Sequence, residues 1–332
     1  MIKAALIGFG GIVKGAHLPG YKTLEAMGKV KLVAACDIRP EAFTENVQLN
    51  IGGGESDGFG DIHTYTDLEE MLKNEEIDLI DIALPTYMHK EYAVDMLNRG
   101  YWVLSEKPMA LSFADCEEML AAADGRLMIG QCLRFAPEYL AAKKIIEEGK
   151  FGRVTGGTFR RLSDTPLWGW DNWFMDPSRS GGVIFDLHIH DLDIIRVLFG
   201  EPKAVSCVAG GHHITKDAFA KSRLDYEDMS IFAEGRWDNV KLPFVADFII
   251  NFEKGTLVLA NGALTMHPYD GESFVPEMTS GDMYMREIEY IADTMVNGTE
   301  NTQNRPESAA QSIRLAETLK KSSLQGGAIL PF

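Results

Sequence analysis

The chain has 332 residues, 45% of them apolar and 24% charged. That fits two globular domains better than one and excludes a disordered or low-complexity chain. Its net charge of −17 repels phosphate backbones and argues against nucleic acid as a partner. No apolar run reaches the roughly 18 residues of a membrane span. The opening MIKAALIGFG enters a strand pattern at once, without a signal-peptide core, so a cytoplasmic protein with no membrane partner is expected.

The first elements alternate. Apolar runs at 2–8, 29–37, 77–85, 101–108 and 126–132 read as strands. Helical patterns at 41–49, 67–74, 89–100 and 113–124 lie between them, and a glycine-rich loop at 50–61 reads as a mobile excursion. Strands alternating with helices of this length predict a parallel sheet covered on both faces. After about residue 130 the pattern changes. A helix at 137–149 precedes long strand-like runs at 153–163, 203–211, 227–237, 243–253 and 255–263, and helices at 282–297 and 306–322 follow. The reading is α/β: a parallel-sheet domain over 1–130, then an α+β domain over 131–332 with a large open, mostly antiparallel sheet. An open sheet face needs a cover, and a second copy of the chain is the usual one, so a homodimer or homotetramer through that sheet is expected. Four scattered cysteines, with no C-x-x-C pair, predict buried thiols and neither a disulfide framework nor a zinc knuckle.

GFGGIV (8–13) stands where the first strand hands over to a helix. Gly8 suits a tight turn, and Gly10, with Gly11 and Ile12 after it, lets backbone approach a pyrophosphate at a helix N-terminus. Val13 occupies the place of the fingerprint's third glycine. Asp37 closes the second strand, where a carboxylate accepts from an adenosine ribose and repels a 2′-phosphate; this favours NAD over NADP, with Arg39 as the contrary sign. Lys107, in SEKPM, ends the strand-like run at 101–108, at the edge where ligands of such sheets bind; its ammonium suits a substrate oxygen, or else it is a surface lysine.

GGVIFDLHIHDLDIIRVLFG (181–200) reads as one helix between glycines. At about 100° per residue, Asp186, His190 and Asp193 share a stripe that excludes His188 and Asp191. A histidine between two carboxylates suits a general base, with Asp193 as its tether. A buried hydrogen-bonded cluster and a metal site are the other readings. The stripe offers a metal only one imidazole, and the adjacent His212 and His213 of GGHH are expected to point apart, so no metal is assigned.

Taken together, these stretches resemble the Gfo/Idh/MocA family (glucose–fructose oxidoreductase, inositol dehydrogenase, rhizopine catabolism). The resemblance runs through GFGGI and His17-LPGY, Cys36-Asp37, LPTYMHKEYAVDMLNRGYWVLSEKP (84–108), RFAPEYLAAKKIIEEGKFGRV (134–154), SGGVIFDLHIHDLDIIRVLFGEP (180–202) and the terminal RPESAAQSIRLAETLKKSS. It implies a Rossmann domain, bound NAD(P), an oligomer-forming C-terminal sheet, and Lys107, Asp186 and His190 as the catalytic set. His190 then takes the hydroxyl proton while hydride leaves the same carbon. Pro85, Thr86, His89, Glu106 and Lys107 fall at cofactor-side positions, with packing or capping the first expectation for His17 and His89. Thr86 and Tyr87 stand where members often carry asparagine. Trp168, Trp170 and Trp173, with Asn172, Asp171, Arg134 and Arg161, are candidate contacts for a sugar-like substrate. The expected activity is an NAD-dependent dehydrogenase of a sugar, sugar acid or cyclitol. The alternatives are a redox-neutral glycoside-cleaving enzyme that retains NAD, and a non-catalytic ligand-binding member.

Overall fold

A computed structural model describes residues 1–45, 62–237 and 243–332. The expected glycine-rich excursion at 50–61 and the last four residues of the helix expected at 41–49 lie outside them; of that helix, the described part shows a 3₁₀ turn, Pro40–Phe43. The chain divides into two compact units. The first comprises Met1–Cys132, Trp168–Trp173 and Gly281–Gln311, and the second Leu133–Leu167, Phe174–Ser280 and Ser312–Phe332. The first unit therefore includes two stretches that the sequence boundaries assign to the second domain.

In the first unit, β1 (Ile2–Ile7), β2 (Val30–Cys36), β3 (His63–Tyr65), β4 (Leu79–Ile82), β5 (Trp102–Glu106) and β6 (Leu127–Gly130) form a parallel sheet in the order β3-β2-β1-β4-β5-β6. α1 (Leu18–Ala26), α2 (Leu68–Asn74), α3 (His89–Asn98) and α4 (Phe113–Ala123) supply crossovers. Every residue of β4 is buried, as a strand covered on both faces requires. α2 and α4 start where short polar side chains cap them: Asp67 accepts from the Glu70 amide at 2.8 Å and Ser112 from the Asp115 amide at 3.1 Å. The strand order reverses beside β1, so the C-terminal ends of β1 and β4 form the crevice at which open α/β sheets bind ligands. The core of this unit joins Leu6, Tyr21, Leu24 and Leu79 to residues from far along the chain, Ile288, Ile291 and Ala292.

The second unit begins with α5 (Pro137–Glu148), entered through Pro137 and closed by Gly149. Its strands are β7 (Val154–Leu162), β8 (Ala204–Gly210), β9 (Phe219–Asp225), β10 (Ser230–Arg236), β11 (Val245–Phe252), β12 (Gly255–Ala260), β13 (Ala263–Pro268) and β14 (Leu330–Pro331). They lie in the order β13-β12-β11-β7-β10-β9-β8-β14, antiparallel except where β7 meets β10. β9 shows the period-two logic of a half-buried sheet: Ala220, Ser222 and Leu224 turn in, Lys221 and Arg223 out. Packed rings fill the inner face, with Phe159 and Phe248 centred 5.4 Å apart and Tyr139 and Phe248 5.3 Å apart. All four cysteines are buried thiols. The remaining helices are α6 (Pro177–Ser180), α7 (Val183–Asp186), α8 (Ile189–Phe199), α9 (Met283–Asn297) and α10 (Pro306–Leu324). No helix among the described residues is long and apolar enough to cross a membrane.

One expected element is corrected. Residues 181–200 form two helices, α7 and α8, not one. At the junction the His188 amide reaches back five residues to the Val183 carbonyl at 2.8 Å, a π-type bond that breaks the uniform 100° step.

Candidate active site

The β1 exit explains the glycine loop. Gly8 has φ +91° and lies against β4: a Cβ there would stand 2.6 Å from the Ala83 carbonyl oxygen. Only glycine permits both the left-handed backbone and that approach. Gly10 differs, since a Cβ built on it meets no protein atom within 4 Å. An open backbone at a helix start fits an incoming pyrophosphate. The helix that follows is π-wound over Val13–His17, and Val13, at the missing glycine, is fully buried. Asp37, just past β2, accepts from the Phe9 amide (Oδ2) and the Arg39 amide (Oδ1), each at 2.9 Å. A carboxylate has about four lone-pair positions, so these bonds fix its orientation and leave capacity for ribose hydroxyls. The residues present therefore fit an NAD-type dinucleotide. Arg39, the contrary sign, has its Nε 3.5 Å from Asp37, its Nη1 3.6 Å from Glu45, and its guanidinium over the Trp170 ring.

Beneath Lys107 lies a buried charge network. His17 Nδ1 stands 2.7 Å from Asp81 Oδ2 and its Nε2 2.9 Å from Glu106 Oε1. Tyr21 donates to the same Asp81 oxygen at 2.9 Å. Burial alone pulls the His17 pKa down, but the two carboxylates outweigh it and hold the imidazole well above its usual 6.5. Burial likewise pushes Glu106 up, and His17 brings it below its usual 4.5. The other Glu106 oxygen, Oε2, accepts from the Lys107 amide at 3.0 Å, so this network fixes the backbone that carries the lysine. His89 is a second strut. Its Nδ1 and Nε2 each lie 2.8 Å from a carbonyl oxygen, of Pro108 and Leu84, tying the β5 exit to the β4 exit. His89 is buried and braces these two loops, the packing role that was its first expectation. Thr86 is also buried, at the start of a 3₁₀ turn just after Pro85. Sequence reasoning did not find the His17–Asp81–Glu106 network. Its signal was Asp81 itself, one charge inside an otherwise apolar strand, which demands a buried partner.

The second unit separates the five titratable residues of the 186–193 stretch. His188, Asp191 and Asp193 are buried, whereas Asp186 and His190 are each only partly buried. Asp193 is not a tether for His190. Arg134 grips it bidentately, Nε to Oδ2 at 2.7 Å and Nη2 to Oδ1 at 2.6 Å, and Ser312 donates to Oδ1 at 2.6 Å. Asp191 is held the same way by Arg161, at 3.0 Å through both Nε and Nη2, and Arg161 also donates to Tyr139 Oη at 3.3 Å. Both arginines are buried, so these expected substrate contacts are interior struts. Their geometry matches the fork of a guanidinium on a carboxylate, which tolerates burial best. His188 lies 2.9 Å from Ser222 Oγ through Nε2, while its Nδ1 is buried without a hydrogen-bond partner. Burial and the nearby Arg161 charge push its pKa down to about 3.

The tryptophan stretch is also relocated. Trp168–Trp173 clusters with the first unit, and Trp170 meets Arg39 there at 5.7 Å, ring centroid to guanidinium carbon. Asp171 and the exposed Asn172 hold left-handed backbones at φ 50° and 48°. His212 and His213 do not point apart: their ring centroids are 5.4 Å apart, and His212 Nδ1 accepts from the Ile214 amide at 3.1 Å.

A parallel sheet whose reversal point carries a glycine loop, with a fixed carboxylate at the end of the neighbouring strand, defines a Rossmann dinucleotide-binding domain. Residues 2–129 match the model of an oxidoreductase family with an NAD-binding Rossmann fold, and residues 139–274 match that of the GFO/IDH/MocA C-terminal domain. The chain belongs to the Gfo/Idh/MocA oxidoreductase family. It is 31% identical over 179 residues to 2,7-anhydro-N-acetylneuraminate hydratase of Mediterraneibacter gnavus, covering 51% of this chain and 45% of that protein. The chain spans about half the length of the curated relatives it matches. Levoglucosan dehydrogenase in complex with NADH shares the fold with a TM-score of 0.84 at 18% identity, over 99% of this chain and 98% of that one. The WlbA dehydrogenase of Bordetella pertussis, in complex with NADH and UDP-GlcNAcA, does so with a TM-score of 0.79 at 20% identity, over 100% and 98%.

Proposed function

We propose that the protein is an NAD-dependent dehydrogenase of a sugar, sugar acid or cyclitol hydroxyl, with Lys107, Asp186 and His190 as its catalytic set. One observation carries the reading. Gly8, Asp37 and Lys107 follow β1, β2 and β5 at the same, C-terminal, edge of the parallel sheet, where a dinucleotide and its reaction partner belong. Bound NAD supplies the hydride acceptor. His190 takes the hydroxyl proton as the C–H bond breaks and the carbonyl forms, Lys107 offers positive charge to the developing oxyanion, and Asp186 orients the histidine. The engagement of Arg39 by Asp37, Glu45 and Trp170 supports NAD over NADP, because its guanidinium already serves two carboxylates and a ring.

A second reading is favoured by the hydratase among the relatives. Adding or removing water changes no net oxidation state, so such an enzyme keeps its NAD and shows no NADH production. An absorbance screen at 340 nm over sugars, sugar acids and inositols separates the two. The expected outcome is NADH formation with at least one of them. Silence across the panel with NAD retained through purification would establish the redox-neutral reading instead.

Self-association through the second sheet belongs to the same proposal. Phe232 on β10, Ile249 on β11 and Val208 on β8 are exposed apolar residues of one sheet, as a surface covered by a second copy requires. Light scattering is expected to give a multiple of the chain mass, lowered by Phe232→Glu; a monomeric wild type would reject this part.

A further inference from the structure

The tryptophan stretch was expected to serve the substrate, yet Trp170 stands at the other end of the cofactor site. Three observations meet there. Asp37 is fixed by two backbone amides and is the ribose carboxylate of the reading above. The next residue, Ile38, is 68% exposed, so an apolar side chain lies open directly after that carboxylate. Arg39 then lays its guanidinium over the Trp170 ring, which is itself 42% exposed. Adenine is the group attached to the ribose that Asp37 would hold, and it needs a flat, apolar, weakly polarising surface. Aromatic rings and guanidinium planes are the two side-chain surfaces that stack on bases.

We propose that Trp170, together with Ile38 and Arg39, is the adenine platform of this protein. A residue from the middle of the chain then sets affinity at the adenosine end of the dinucleotide. The Asp37–Arg39 ion pair orients the guanidinium so that one carboxylate serves both the ribose and the platform. The idea rests on the NAD reading and adds Trp170 to it.

Calorimetric titration of the full chain with ADP-ribose, which lacks the nicotinamide, tests it without any turnover. Trp170→Ala is expected to raise the dissociation constant about tenfold, from loss of one stacking surface. Trp170→Phe should recover most of that affinity, and Trp170→Leu should not. The half-exposed position predicts unchanged thermal unfolding of the unliganded variants. Wild-type affinity in Trp170→Ala, or equal recovery by Leu and Phe, would overturn the platform. Asp37→Ala distinguishes the two levels. If it weakens ADP-ribose while Trp170→Ala does not, the platform alone is lost. If the wild type binds neither ADP-ribose nor NAD, the cofactor reading falls and takes the platform with it.

Discussion

His190→Ala and Lys107→Met are each expected to lower kcat by about 10²- to 10⁴-fold, the usual span for removing a general base or a charge-stabilising group. Their NAD affinities should stay near wild type, because neither residue belongs to the Asp37 end of the site. His190 is the expected base for a structural reason. Of the two histidines in the stretch, His188 is buried against Ser222, and its pKa near 3 keeps it from accepting a proton in the working range. His190, by contrast, is only partly buried. The measurement is steady-state kinetics with the sugar found by the absorbance screen, alongside NADH fluorescence titration. Either variant turning over at near the wild-type rate would remove that residue from the catalytic set. His188→Asn supplies the contrast, since loss of His188 should leave the pH profile of kcat in place.

That same substitution carries the second large effect, on stability. His188 ionises near 6.5 when unfolded and near 3 when folded, so the unfolded chain binds the extra proton between those values. Stability is therefore intact above pH 6.5 and falls as the pH drops toward 3. A difference of about 3.5 pH units, at about 1.4 kcal/mol each, comes to about 5 kcal/mol across the window. The group is fully buried, so solvent screening takes little from this figure. At pH 7, His188→Asn should be less stable than wild type by roughly 1–3 kcal/mol, through the lost Ser222 bond and poorer packing. At pH 4 the gap should close or reverse, because the variant has no buried imidazole to protonate. Urea unfolding at the two pH values reads this directly, and parallel pH slopes in the two proteins would refute it.

Much of the fold was legible because its signals are local. β1, β2, β4 and β5 are apolar runs ended by glycine, aspartate or proline, and α2, α4 and α5 carry their caps in the sequence. β3 was not legible: three residues cannot display a period. β9 was missed because its outward Lys221 and Arg223 make FAKSRLD look polar, although the alternation is there. In the site, Gly8, Asp37 and Lys107 could be placed from strand ends alone. Helical arithmetic set Asp186 and His190 on one stripe, and they are the titratable residues of the stretch that the structure leaves partly exposed, but it gave Asp193 the wrong partner. Angles around one helix cannot reveal that Arg134, 59 residues away, claims that carboxylate. Arg161 and Trp170 show the same limit, since their neighbours in the fold are Asp191 and Arg39. Arginines and tryptophans near a catalytic stretch look like ligand contacts until their own neighbours, set by tertiary structure, are known.

The winding of the chain between its two units has a consequence for how the protein is made. The core beneath β1 contains Ile288, Ile291 and Ala292 of α9, so a ribosome that has released only the first 132 residues has delivered a sheet with one wall missing. The nucleotide-binding unit, although it starts at the N-terminus, is completed late in synthesis. A fragment ending at Cys132 would leave Tyr21 and Leu24 without their cover and be prone to aggregation, whereas the full chain closes that wall from its far end.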